Sequence, residues 1–341
     1  MAKKSKTTDL DAAPEEPKEF NSRLVNTVEH FRDELSNTIG FKLIHVENVL
    51  YMYYNGAWVI AEPKHFDEFE PVFMSSAYSN GVEWGKDKNA LWTVLKRQTM
   101  GAGVRFDDVP VIAMRGGTLD PRPDPAEVVG HDPAHFITRR IAIQYVPDAE
   151  CPEWEAMILR MLEHPDRSPE DAARLAKFLQ QWVGVNIVGP KAKVNRQLQK
   201  GLIIEGASGT GKTTFAEVLR ELFGEVRVVS VAMSDLGGEY GKAPLINAQA
   251  LITDDGIEPK KSADPRVLKA IVTGEQMTVN RKFKDHISFR FNGAVLFTTN
   301  VLPNFQDESD AVYNRFVLVR MDRTFTPADQ KKQLKGLKPV E

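Results

Sequence analysis

Apolar residues recur along this chain in two rhythms, and the change between them divides it. From Asn21 to Ser36 the apolar positions Leu24, Val25, Val28, Phe31 and Leu35 fall at helical spacing. Val49 to Ile60 places β-formers on either side of Asn55-Gly56, the pair suited to a two-residue type I′ turn, and predicts a hairpin. A helix is expected over Ala90–Met100 and a short strand over Val109–Met114. Residues 115–135 are so rich in Gly and Pro that a long loop without regular elements is expected. A strand is then expected over ITRRIAIQYV. Two helices follow, CPEWEAMILRMLE and SPEDAARLAKFLQQWVGVNIV, with Ser168 capping the second. Beyond Gly201 the rhythm changes. Short apolar runs (LIIEG, VRVVSVA, ALITDDG, AVLFTTN, FVLVRM) alternate with polar or helical stretches, the pattern of an α/β sheet whose strands are buried on both faces.

Composition adds exclusions. The 341 residues suffice for two domains, and 44 basic against 47 acidic side chains exclude a globally basic coat for nucleic acid. The single Cys151 excludes an internal disulfide and a Cys-based zinc site. No apolar run approaches the roughly 18 residues of a membrane helix, so no membrane association is expected. Residues 1–19 are Lys-, Glu-, Asp- and Pro-rich and read as a disordered tail.

The chemistry concentrates after Gly201. Gly206, Ala207, Ser208, Gly209, Thr210, Gly211, Lys212 and Thr213 satisfy G-x-x-x-x-G-K-[ST], a pattern that chance produces in roughly one chain in a hundred of this length. The strand run Leu202–Ile204 precedes it, and an amphipathic helix from Thr214 to Phe223 follows. Glycines let backbone N–H groups turn inward around phosphate oxygens, and the helix N-terminus adds partial positive charge. Lys212 is placed to bridge β- and γ-phosphates, and Thr213 to ligate Mg²⁺. ATP and Mg²⁺ are therefore the expected ligands, with Thr214 closing the binding segment. ALITDD ends in Asp254 and Asp255, one expected to hold the metal and the other the attacking water; we assign them in that order, which the spacing does not fix, and a solvated Asp-Asp-Gly turn is the plain alternative. Asn300 ends the next apolar run and could position that water; a strand-terminating Asn is its plain alternative. Arg315 precedes FVLVR as a candidate arginine finger, with Arg320 and Arg323 as competitors. Residues 257–300 hold eight basic side chains against four acids. The basic residues are most concentrated in a hairpin-like run, 279–286, whose tip carries Arg281, Lys282 and Lys284, suited to phosphate contacts that do not read bases; a solvated charged hairpin is the bland reading.

GASGTGKTT, ALITDD, VLKAIVTGEQMTVNRKFKD, and FTTNVLPNF followed by NRF lie in order within residues 206–315 and resemble the superfamily 3 helicase core, in its phage and plasmid primase-helicase branch. YYNGAWV, VIAMRGGTLD…GHDP and YVPDAECPEW resemble the region preceding that motor. The resemblance implies a P-loop NTPase of AAA+ type (196–325) behind an α+β accessory domain (20–165) and a helical collar (166–195), with a C-terminal tail (326–341). It implies a homo-oligomeric ring, commonly a hexamer, that hydrolyses ATP between subunits and moves 3′ to 5′ on single-stranded or forked DNA. The setting would be phage or mobile-element replication in the bacterial cytoplasm. By position, Lys212 and Thr213 become Walker A, Asp254 and Asp255 Walker B, Asn300 sensor 1, Lys282 and Lys284 the DNA-gripping tip, and Arg315 the finger. Asn314 stands where the family often has a first arginine. The chain is too short to include the family's primase domain, which implies a separate primase or polymerase partner. An ATP-dependent initiator or loader that binds DNA without processive unwinding is the alternative, and a small-molecule kinase ranks third.

Overall fold

The structure is a computed structural model that describes residues 22–39, 42–47, 49–61, 63–188, 199–255, 257, 264–281, 284–301 and 313–326. The expected tail at 1–19, part of the expected collar (189–195) and Lys282 lie outside the described residues. The chain divides into two compact units: residues 1–52 with 61–102, and residues 53–60 with 103–341.

The first unit is built on three helices, α1 (Ser22–Glu34), α2 (Pro63–Ser79) and α3 (Trp84–Gln98), with strand β1 (Lys42–Val46) and most of β2 (Val49–Tyr54). Its core is aromatic. Phe31 stacks on Phe73 with ring centroids 4.1 Å apart, and Trp92 meets Phe73 edge-on at 5.2 Å. Helix α2 escapes the periodicity reading although Phe69, Phe73 and Ala77 recur every four residues and are buried. Pro71 inside it is the residue that argues against a helix in sequence. Helix α3 begins before the expected Ala90.

β2 and β3 (Ala57–Ile60) form the expected hairpin, and both turn residues have positive φ, +50° at Asn55 and +83° at Gly56, as a type I′ turn requires.

The second unit starts with a small antiparallel sheet, β4 (Ile112–Met114), β5 (Gly117–Asp120) and β6 (Glu127–Val129). This corrects the expected loop over 115–135. Gly116, at φ +90°, turns the chain, and Gly117 opens β5 where an added Cβ would stand 2.7 Å from Val128. The expected strand at ITRRIAIQYV does not form. Its backbone groups serve scattered partners instead of one ladder: Ile137 O accepts from Trp58 N, Ile141 N donates to Ala113 O, and Ala142 N donates to Leu222 O. Helices α4 (Pro152–Met161) and α5 (Pro169–Ile187) follow, and the Ser168 hydroxyl caps α5 by accepting from Asp171 N at 3.1 Å.

The principal sheet has five parallel strands, β7 (Gly201–Glu205), β8 (Val228–Val229), β9 (Ala250–Thr253), β12 (Ala294–Thr299) and β13 (Phe316–Arg320), in the spatial order β13-β7-β12-β9-β8. The central strands β7, β9 and β12 are buried along nearly their whole length, which explains their unbroken apolar runs. Helix α6 (Lys212–Phe223) returns from β7 and buries Phe215, Leu219 and Phe223, ending at Gly224. One continuous core joins these residues to Met161 of α4, Trp182 of α5 and Met114 of the small sheet. Helix α7 (Pro265–Thr273) is capped by Asp264 and leads into the antiparallel hairpin β10 (Gln276–Arg281) and β11 (Lys284–Arg290), which pairs Val279 with Ile287 and buries both.

Candidate functional site

All five strands of the principal sheet run in one direction, so their carboxyl ends share an edge. There the loops after β7, β9 and β12 converge with α4 on a cavity of about 260 Å³. Ser208–Thr214 of the glycine-rich loop line it together with Asp254, Asp255, Thr298 and Asn300. The loop sits where it does because its two ends leave no alternative. A Cβ on Gly206 would come within 2.2 Å of the Met321 carbonyl oxygen, and Gly211 has φ +91° with Met161 pressed against it. Backbone bonds hold the loop to its surroundings: Gly206 N donates to Thr299 O, and Phe325 N to Gly209 O.

Lys212, the first residue of α6, is buried. Its ammonium donates to Gly206 O at 2.6 Å, Ala207 O at 2.8 Å and Asn300 Oδ1 at 3.0 Å. Burial pulls its pKa below the ordinary lysine value, and the nearby carboxylates of Asp255 and Asp254 act in the opposite direction. Asn300 uses its other end to donate to Asp255 Oδ1 at 3.2 Å. Lys212, Asn300 and Asp255 thus form one chain of hydrogen bonds across three strands. Asp254 belongs to a second one: Arg220 of α6 donates to its Oδ2 at 2.8 Å, and the Thr298 hydroxyl to its Oδ1 at 3.1 Å. Asp255 has φ +49°, a left-handed backbone that turns the second acid away from the strand direction. The two carboxylates therefore have different partners, which the adjacent letters of the sequence do not reveal. Thr213 and Thr214 are exposed on the cavity side at the start of α6.

Several contributors escape sequence reasoning. Met157 and Met161 of α4 and Phe325 after β13 give the cavity an apolar wall. No local pattern marks them, because α4 lies some 50 residues before the glycine-rich loop. Thr298 and Arg220 had weak signals only, a polar residue inside an apolar strand and a basic residue on a helix otherwise packed inward.

Arg315 is not brought to this cavity. It ends a short turn (Tyr313–Arg315) at the amino end of β13, where Phe316 lies opposite Gly201, so its backbone stands about 20 Å along the strand from the glycine-rich loop that opens at Gly206. Its side chain has no hydrogen bond or ion pair among the described residues. Arg320 and Arg323 are nearer the cavity edge but engaged: Arg320 Nε donates to Glu205 Oε2 at 2.8 Å, and Arg323 pairs with Glu163. At the basic hairpin the strands are placed, Arg281 opposite Lys284 after an irregularity in register, while Lys282 lies outside the described residues. Among the described residues no cluster of three or more His, Cys, Asp or Glu forms a protein-only metal site, and no helix is long and apolar enough to cross a membrane.

Two family models match this chain. Residues 204–315 match a family of unknown function (DUF5906), and residues 104–163 match a family described as D5 N terminal like. Among solved structures, the chain is similar to the apo A form of the NrS-1 C-terminal region at 13% identity and a TM-score of 0.50, over 91% of this chain and 67% of that one. A second apo A-form structure of the same region gives 13% identity and a TM-score of 0.48, over 89% and 65%. At such identity the likeness is one of fold: a mixed α/β architecture carrying the parallel five-stranded sheet. This chain spans about two-thirds of the NrS-1 region.

Proposed function

We propose that the protein is an ATP-hydrolysing DNA motor of AAA+ type, a replicative helicase that works as a homo-oligomeric ring. The observation that carries this reading is the convergence of Lys212, Asn300, Asp254 and Asp255 on one cavity at the carboxyl edge of the sheet. The strand bearing Asn300 lies between the phosphate-loop strand and the acidic strand. That order places a neutral amide between a lysine and a carboxylate, where attacking water must be held in line with a γ-phosphate.

In this reading the phosphate loop and the amino end of α6 hold the triphosphate through backbone N–H groups. Lys212 exchanges its bonds to Gly206 and Ala207 for phosphate oxygens, and the charge developing there is stabilised in a partly water-excluded site. Asp255, aligned by Asn300, orients the water and accepts its proton. Thr213 and Asp254 would hold Mg²⁺, and a hydroxyl and a carboxylate completed by substrate phosphates are the donors that ion prefers. Bound there, the ion would neutralise charge on the β- and γ-oxygens. The apolar wall of Met157, Met161 and Phe325 suits the face of a purine. Arg315 stands too far from its own phosphate loop to serve it, and we assign it to the site of a neighbouring subunit. The β10–β11 hairpin, with Arg281, Lys282 and Lys284 at its tip, is assigned to the DNA backbone. The phage-replication setting, the separate primase and the 3′ to 5′ direction come with the resemblance to the superfamily 3 helicase core.

The test is steady-state ATP hydrolysis with and without single-stranded DNA. Hydrolysis that rises with DNA, and that Lys212→Ala abolishes, supports a motor. Hydrolysis indifferent to DNA moves the reading to an initiator or loader that uses nucleotide only to assemble. For the finger, inactive Lys212→Ala and Arg315→Ala chains are mixed. Partial recovery is expected, because an interface can then combine one chain's Lys212 with its neighbour's Arg315. No recovery in chains shown to co-assemble overturns the assignment.

A further inference from the structure

At the opposite, amino edge of the same sheet lie three arginines, Arg139, Arg140 and Arg227, that form no ion pair among the described residues. The segment carrying Arg139 and Arg140 runs beside the end of α6: Ala142 N donates to Leu222 O, and the Ala142 methyl lies 3.2 Å from where a Gly224 Cβ would be. Arg227 follows that turn and accepts through its carbonyl from Gln249 N at 2.7 Å. A crevice of about 10 Å³, room for one oxygen atom, is lined by Arg139, Arg140, Asn186 and Gln249 together with apolar residues such as Ile112, Ile137 and Phe223; Arg227 stands outside its lining, near Arg140.

The guanidiniums are poorly answered. Arg139 Nε, Arg140 Nε and Arg227 Nη1 are buried without a hydrogen-bond partner. Arg139 reaches a single carbonyl, Asn186 O, at 3.5 Å. Asp107, whose charge acts on Arg139, spends its two oxygens on the backbone N–H and hydroxyl of Thr138, at 2.8 and 2.5 Å. Arg227 is pushed down to about 10, first by burial and then by the charge of Arg140, and Arg140 also depresses His131. Three partly buried guanidiniums that keep unbonded nitrogens among the described residues leave donors for a group brought from outside. Planar guanidiniums with unbonded nitrogens, two of them lining an oxygen-sized crevice, suit the oxygens of a tetrahedral oxyanion.

We propose that Arg139, Arg140 and Arg227 form a phosphate-binding site separate from the nucleotide cavity, and that it takes a backbone phosphate of a nucleic-acid strand or a free phosphate group. The site does not depend on the ATPase reading.

Binding of the full chain to labelled single-stranded DNA is measured across a salt series, for wild type, Arg140→Gln and Arg140→Gln/Arg227→Gln. If the strand supplies the phosphate, affinity falls whatever the base sequence, and the slope of log affinity against log salt becomes shallower by about 0.7 for each strand phosphate that is no longer neutralised. In parallel, inorganic phosphate is compared with chloride at equal ionic strength for its effect on the melting midpoint of Lys212→Ala, whose phosphate loop is disabled. If free phosphate is the ligand, it raises that midpoint, Arg140→Gln removes the gain, and the DNA slope stays unchanged. An unchanged slope together with an unchanged phosphate effect overturns the site. Should wild type not bind DNA at all, the motor reading fails and the phosphate arm alone decides this one. Should Arg140→Gln not fold, Arg140→Lys keeps the charge and loses the planar fork. Weaker binding of DNA or phosphate then supports the site, and unaltered binding of both overturns it.

Discussion

The two edges of the five-stranded sheet treat charge in opposite ways. At the carboxyl edge the charged groups answer one another: Lys212 with Asn300 and loop carbonyls, Asn300 with Asp255, Arg220 with Asp254. At the amino edge Arg139, Arg140 and Arg227 crowd together with buried nitrogens unpaired, and Arg315 has no partner among the described residues. Arg315 and Arg227 enter the outermost strands, β13 and β8, about 19 Å apart across the four strand spacings between them. A self-satisfied network holds its own geometry before any ligand arrives, which is what a reaction site requires. An uncompensated cluster is stabilised only when another molecule brings charge.

The largest expected effect tests the network. Lys212→Ala should lower ATP turnover by about 10²–10³-fold, the scale for removing one preorganised charge-stabilising group. Residual turnover near wild type would mean the cavity is not the reaction site. Next, Asp255→Asn should cost mainly turnover with nucleotide binding retained, while Asp254→Asn should weaken Mg²⁺-dependent binding; single-turnover and equilibrium binding measurements separate the two. Equal behaviour would erase the division of roles that their different partners suggest.

Truncating an arginine at each edge should change stability in opposite senses. Arg227→Leu removes a partly buried cation that lacks a partner and should stabilise the chain, by on the order of 1 kcal/mol in denaturant unfolding. Arg220→Ala removes half of a partly exposed ion pair and should destabilise it by about 0.5–1 kcal/mol. The same sign for both would break the comparison.

The smallest effect is one of pH. Because burial lowers the Lys212 pKa, the unfolded chain binds more protons between that lowered value and 10.5, so this residue's contribution to stability rises with pH across that window. Phosphate binding needs the charged form, so nucleotide affinity should fall as pH climbs through the same window, earlier than an exposed lysine would allow. A calorimetric pH series on the wild-type chain reads both trends.

What was legible in the sequence was local. The Gly-Lys spacing after a buried strand, the Asn55-Gly56 turn, the Ser168 cap and the unbroken apolar runs each depend on a few neighbouring residues, whose backbone preferences act before any long-range contact. Where local preference misled, tertiary contacts had overridden it. Pro71 sits inside a helix whose aromatic face is buried, the glycine-rich stretch after Met114 pairs into a sheet, and ITRRIAIQYV distributes its backbone bonds among unrelated segments.

The candidate site divides in the same way. Spacing singled out Lys212, Thr213, Asp254, Asp255 and Asn300 as candidates, and the structure brings all five to one cavity. That Asn300 stands between Lys212 and Asp255, that Arg220 holds Asp254, and that Met157 and Met161 wall the cavity follow from strand order and from the packing of α4. Those contacts join residues tens of positions apart, and only the burial of a common core brings them together. The cluster of Arg139, Arg140 and Arg227 is of this kind as well. Nothing within either short segment announces it, and it exists only because the chain beside β4 packs against the end of α6.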